Sequence, residues 1–142
     1  MALLSGHKQI FHNNTLSVDS SNLEGLGTRS IDEGGNEFIY LQGTASVVAN
    51  DWVVYDADYT TTRLTANEVG PVALAPTAIL LGEYGWFQIH GIGQGRSDTI
   101  AADSSLYIDG TTGRVDDLSV SGDLIIGAYS MSASVSNIAT VY

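Results

Sequence analysis

The sequence predicts an all-β fold, a compact β-barrel or β-sandwich of about eight strands with an extended N-terminal arm. Three observations predict it. Short runs rich in β-branched and aromatic residues recur from Phe38 onward. Turn-forming stretches separate them at intervals of roughly 8–15 residues. No window carries the 3.6-residue apolar period of an amphipathic helix; at most one helical turn fits near "LTANEV".

Taken in order, residues 1–37 form the arm and 38–142 the body domain. The stretch "HNNTLSVDSSNLEGLGTRSIDEGGNE" is rich in Ser, Asn, Gly and acids. Its apolar residues are too scattered to build a core, so it reads as an extended segment that docks on another surface. Ile10-Phe11 and Leu23-x-x-Leu26 are its candidate anchors. An extended segment of this kind gains main-chain hydrogen bonds by adding to a sheet edge. The arm is therefore expected to order only on assembly, against a sister copy or a larger partner.

In the body the expected strands are "FIYLQ", "DWVVYDA", "PVALA", "AILL", "GWFQIHGI", "SSLYID", "DLIIGAYSM" and "NIATVY". The breaks between them include "DADYTTT", "NEVGP", "GEYG", "DGTTG" and "VSGD". The strand through 85–92 has two faces. Phe87 and Ile89 share one, which reads as core. Trp86, Gln88 and His90 share the other, which reads as solvent-facing or as an interface. The following "GIGQG" opens no helix and so fails as a phosphate cradle; its glycines read as bends or close backbone approaches.

Composition narrows the function. The 142 residues fit one domain and can bury a core without staples. Cysteine is absent, which excludes disulfides and thiolate metal sites. Sixteen acids face five bases, a net charge of −11, which argues against a nucleic-acid backbone as partner and keeps like copies dispersed. No stretch approaches the ~18 apolar residues of a membrane span, and the opening "MALLSGHKQIF" lacks the apolar core of a secretory signal.

Catalytic and metal chemistry find little support. His7 and His12 lie in the arm. His90 has no acid two residues away to orient it, so it makes a poor general base and a poor ligand. No G-x-S-x-G elbow occurs. Asp56 and Asp58 share one side of an extended chain but lack the ligands and glycine of a calcium loop. Asp116 and Asp117 follow a hairpin turn, where acids are commonly solvated. Asn13-Asn14-Thr15 matches a glycosylation sequon without a secretory context. No cofactor is expected. Trp52, Trp86 and seven tyrosines, the residue types that favour interfaces, point to a binding or structural protein instead. Trp52, Trp86, Gln88 and His90 are its candidate interface residues in the body.

An ordered string of phrases then carries a resemblance: "FIYLQGTASVVANDWVVYD", "VALAPTAILLGEYGWFQIHG", "LYIDGTTGRVDD" and "LIIGAYSMSASVSNIATVY". With Tyr84-Gly85-Trp86 as its most recognisable part, residues 38–142 resemble the head decoration, or capsid cement, proteins of tailed phages. The resemblance implies a non-enzymatic virion protein on the outer capsid surface. It would bridge major capsid subunits and associate with itself, commonly as a homotrimer, without direct nucleic-acid or membrane contact. The alternative is a carbohydrate- or receptor-binding β domain of a virion spike or fibre, with Trp52 and Trp86 stacking on sugar rings.

Overall fold

A computed structural model describes the backbone of Lys8–Gln9 and residues 16–43 and 46–142 in full. Thirteen strands are formed among the described residues: β1 (Lys8–Gln9), β2 (Val18–Asp19), β3 (Arg29–Ile31), β4 (Glu37–Gln42), β5 (Trp52–Tyr55), β6 (Thr61–Arg63), β7 (Val72–Leu74), β8 (Tyr84–His90), β9 (Gly93–Arg96), β10 (Ser105–Ile108), β11 (Val115–Asp116), β12 (Leu124–Tyr129) and β13 (Ile138–Val141). The all-β reading holds, in a sandwich-like arrangement of several sheets rather than a closed barrel.

The main sheet runs β1-β3-β4-β8-β7-β5-β6, with β2 paired to the other edge of β8 at Gly85. Apart from the parallel β1–β3 pair, its strands pair antiparallel. A bridge between Gln42 and Thr60 draws the start of β6 toward the end of β4 and curls the sheet. Two smaller sheets, β11-β10-β12 and β13-β9, pack against it.

Three apolar clusters follow from this layering. Ile39, Leu41, Val53 and Phe87 fill the inside of the curl. Trp52, Val54, Leu64 and Leu74 pack outward from the main sheet onto Leu106, Ile108, Val115, Ile125 and Val141 of the small sheets. Phe38, Tyr40 and Trp86 form the third, with Leu26 and Tyr84 against it. The strands β4 and β8 are thus buried on both faces, which is why "FIYLQ" reads as a continuous apolar run rather than an alternating one.

Several expectations are corrected here. From Leu16 onward the segment expected as an arm is part of the body. Its β3 forms a hairpin with β4, Arg29 opposite Ile39, so the 37/38 boundary falls inside that hairpin. Gly27 donates its N–H to the Tyr40 carbonyl, and Tyr40 donates to that of Thr28. Too few apolar residues to make a core proved enough to cover one. "AILL" is not a strand: Ile79 is buried in the curl, while Leu80 and Leu81 are exposed on a turn. Conversely, "GQGR" is a strand, β9, paired along β13. Its glycine pattern serves close approach, since a Cβ on Gly95 would lie 2.7 Å from Trp52 Nε1. The break "DADYTTT" ends in β6, where the β-branched Thr61 and Thr62 suit a strand.

One polar junction ties the layers together. Asp51 is fully buried and immediately precedes β5. Its Oδ2 accepts from Arg63 Nε at 2.6 Å and from the Val48 N–H at 3.0 Å; its Oδ1 pairs with Arg96. Arg63 also donates to the Thr112 carbonyl in the β10–β11 turn. One carboxylate thereby joins β6, β9 and the small sheet, and every acceptor position has a donor to offset its desolvation.

Candidate functional site

Strand β8 shows how the sequence divides its own surface. Its alternation is as expected: Phe87 points into the curl and Trp86 to the opposite face. That opposite face, however, is covered along most of its length. Trp86 is 2% exposed, packed edge-on to Tyr40 with ring centroids 5.1 Å apart. Tyr40 is completely buried, and its hydroxyl donates to Asp19 Oδ2 at 2.6 Å, tying β2 down. Burial, with the adjacent Asp19 carboxylate, pushes the Tyr40 phenol well above its ordinary pKa. Gln88 is buried too, its Nε2 donating to the carbonyls of His90 and Ile92.

Only at His90 does this face open. Here β7 and β8 diverge from β12 and β13 and leave a groove of about 410 Å³. Trp52, Leu74 and Val141 of the second apolar cluster reach its floor. His90 and Tyr142 stand at one side, Tyr142 Oη 3.0 Å from His90 Nε2 and the rings edge-to-face. Tyr129 packs against Tyr142 at 5.7 Å between ring centroids.

Strand β12 also lines the groove, and its pairing is irregular there. Ser105 pairs with Tyr129 and Tyr107 with Leu124, so two steps along β10 match five along β12. The surplus bulges outward, with Gly127 taking a positive φ of 86° that other residues resist. A bulge re-aims side chains, and this one leaves Ile126 92% exposed. Val69, which also lines the groove, is 94% exposed on the loop before β7. Two aliphatic side chains that line an apolar cleft are thus held in solvent.

The residues anticipated from sequence separate accordingly. Trp52 and Trp86 are core, not interface; Gln88 is a buried hydrogen-bonding residue. His90 alone of the four faces solvent, and it lies in the groove. Leu26 packs on the Phe38–Tyr40–Trp86 cluster, whereas Leu23 is exposed. Ile10 and Phe11 lie outside the described residues. Sequence reasoning missed Val69, Leu124 and Ile126. The available signal was the glycine inside "DLIIGAYS", since a glycine within a strand pattern marks a bulge.

The groove is lined mostly by apolar side chains, with Glu68, Gln88 and His90 among its polar residues. Among the described residues no group of three or more His, Asp or Glu is placed to hold a metal ion. His90 is hydrogen-bonded to a phenol rather than to an orienting carboxylate. The acid pairs are used in turns: Asp56 Oδ1 accepts from the N–H groups of Asp58 and Thr60, and Asp116 Oδ1 from that of Leu118. Asp117 Oδ2 caps the Ala101 N–H. The chain matches no protein-family model and no curated protein sequence.

Proposed function

We propose that this protein is a structural component of a tailed-phage head, decorating the outer capsid surface and bridging major capsid subunits. The observation that carries the reading is the groove: Val69 and Ile126 are held almost wholly in solvent by an otherwise well-packed β framework. Aliphatic side chains so placed, around a cleft lined by apolar atoms, suit docking onto another protein. The strongly acidic remainder keeps copies apart until they meet that partner. The phrases that resemble decoration proteins support the same reading. Tyr84-Gly85-Trp86 lies on β8, the strand that joins the covered face to the groove.

The spike or fibre alternative rested on Trp52 and Trp86 as sugar-stacking platforms. Both are buried in apolar clusters, so that reading loses its support.

The test is direct imaging. The purified protein is added to phage heads lacking it, and particles are imaged by electron cryomicroscopy. Copies distributed over the whole shell, with greater resistance of the heads to chelator or heat, are expected. Copies confined to a vertex or tail, or no binding, would overturn the proposal.

A further inference from the structure

The chain divides sharply in charge. Residues 1–17 contain no Asp or Glu, and they hold Lys8, the only lysine, with two of the three histidines. The remaining residues hold all sixteen acids against four arginines, a net charge of −12. The opening segment is also apolar, with Met1-Ala2-Leu3-Leu4 at its start. An apolar, weakly basic segment and an acidic body with an uncovered apolar groove are complementary surfaces within one sequence.

The geometry decides which copy supplies the segment. Strand β1 pairs parallel with β3, Lys8 beside Ser30 and Gln9 beside Ile31. Both strands run toward the turn that follows Ile31. That turn adjoins the groove: Asn36 Oδ1 accepts from the Ile92 N–H at 3.0 Å, and Glu37 pairs with His90. The N-terminal end of β1 therefore points away from the groove of its own copy. Seven residues span at most roughly 23 Å when extended, enough to reach a neighbour but poorly directed to double back over the sheet.

We infer that the groove bounded by Val69, His90, Ile126 and Tyr142 receives the apolar segment 1–7 of a second copy of this chain. The inference rests on reading the groove as an assembly surface, as proposed above, and names its occupant. Such a contact is head-to-tail, with segment and groove on different parts of each copy, so it saturates only by closing into a ring. The bulged stretch of β12 offers the incoming chain an edge, and the floor at Leu74 and Val141 receives alternate side chains. Glu68, which also lines the groove, meets a segment that carries no acid, so no like charges oppose the contact.

The absence of cysteine makes the test clean. Full-length chains carrying either Leu4→Cys or Ile126→Cys are mixed and oxidised mildly. A third chain carries Leu118→Cys, an exposed position outside the groove. The expected product is the mixed 4–126 disulfide, at least tenfold in excess of the 4–118 product and of either homodimer. A chain with both Leu4→Cys and Ile126→Cys should link to other chains. No preference for 4–126 over 4–118, or a double variant that closes only on itself, would overturn the inference. Binding of the same preparations to undecorated heads separates the two proposals. Heads decorated without 4–126 linkage sink this inference and keep the capsid role. Efficient 4–126 linkage with no head binding does the reverse.

Discussion

Two apolar regions lie on the same side of β8, and the chain treats them oppositely. Around Trp86 and Tyr40 the surface is sealed by residues 16–31, with Asp19 bonded to the Tyr40 hydroxyl and Leu26 packed against the rings. Around His90 it stays open, and a bulge holds Ile126 away from any neighbour. Aromatic content does not separate the two, because tyrosines line both. What differs is whether a strand edge nearby had room for more backbone. At Gly85 the edge of β8 accepted β2. Beyond Gln88, where β7 takes over that edge at Leu74, the chain turned back into β9 instead. Burial here follows the supply of free hydrogen-bonding edge, since a covering segment must satisfy its own amides as well as bury apolar area.

The contrast breaks most severely if the sealed face is opened. Trp86→Ala should cost ~3–5 kcal/mol, as removal of a buried large aromatic does, read from the midpoint of a denaturant melt. A chain beginning at Asn36 uncovers the same face by another route. It should bind a hydrophobic dye and melt well below full length. A truncation as stable as the full chain would show that residues 16–35 lie on the body without holding it.

Next in size is the tether. Tyr40→Phe removes only the hydroxyl that reaches Asp19, and should cost about 1.5–3 kcal/mol, the range for hydrogen bonds to charged groups. Amide exchange at Val18 and Asp19 should accelerate more than at β7. Equal protection at both would mean that β2 is held by its ladder alone.

A smaller effect of opposite sign is expected on the small sheet. Burial raises the Asp116 pKa, and the nearby charges of Asp109, Asp117 and Asp98 add to the rise. A carboxyl whose pKa is higher folded than unfolded opposes folding when ionised, and that penalty is present in full above the folded value. It fades as pH falls toward the unfolded carboxylate value. Asp116→Asn keeps the Oδ1 acceptor for Leu118 and should raise the melting temperature modestly at pH 7, with the gain vanishing in acid. A gain independent of pH would point to packing instead of charge.

Smallest of all, Ile126→Ser should change stability by no more than ~0.5 kcal/mol, because an exposed side chain leaves nothing behind to collapse. Sedimentation of the same variant should show weakened self-association. A large loss of stability would mean that the open region is part of the core after all.

How much was legible in sequence varies with the element. The faces of β8 could be assigned by counting, because alternation is a property of the strand itself. That Trp86 and Gln88 would be covered could not, because their cover comes from residues whose own pattern is weak. The segment 16–37 carries only isolated apolar residues, and two- and three-residue strands such as β2 and β3 have no period to detect. The Asp51–Arg63–Arg96 junction was invisible for a related reason. Its members are 12 and 45 residues apart, and each looks like an ordinary surface charge until the sheets meet.

By itself the sequence determined the all-β class, the strands β4, β5, β8 and β12 and the inward placement of Phe87. These depend on backbone preference and two-residue alternation, which act between near neighbours. Only the tertiary structure decided which apolar faces were sealed, which acid was buried and where a groove remained. Those outcomes depend on edges and charges brought together from distant parts of the chain, and a free edge exists only once the sheet does.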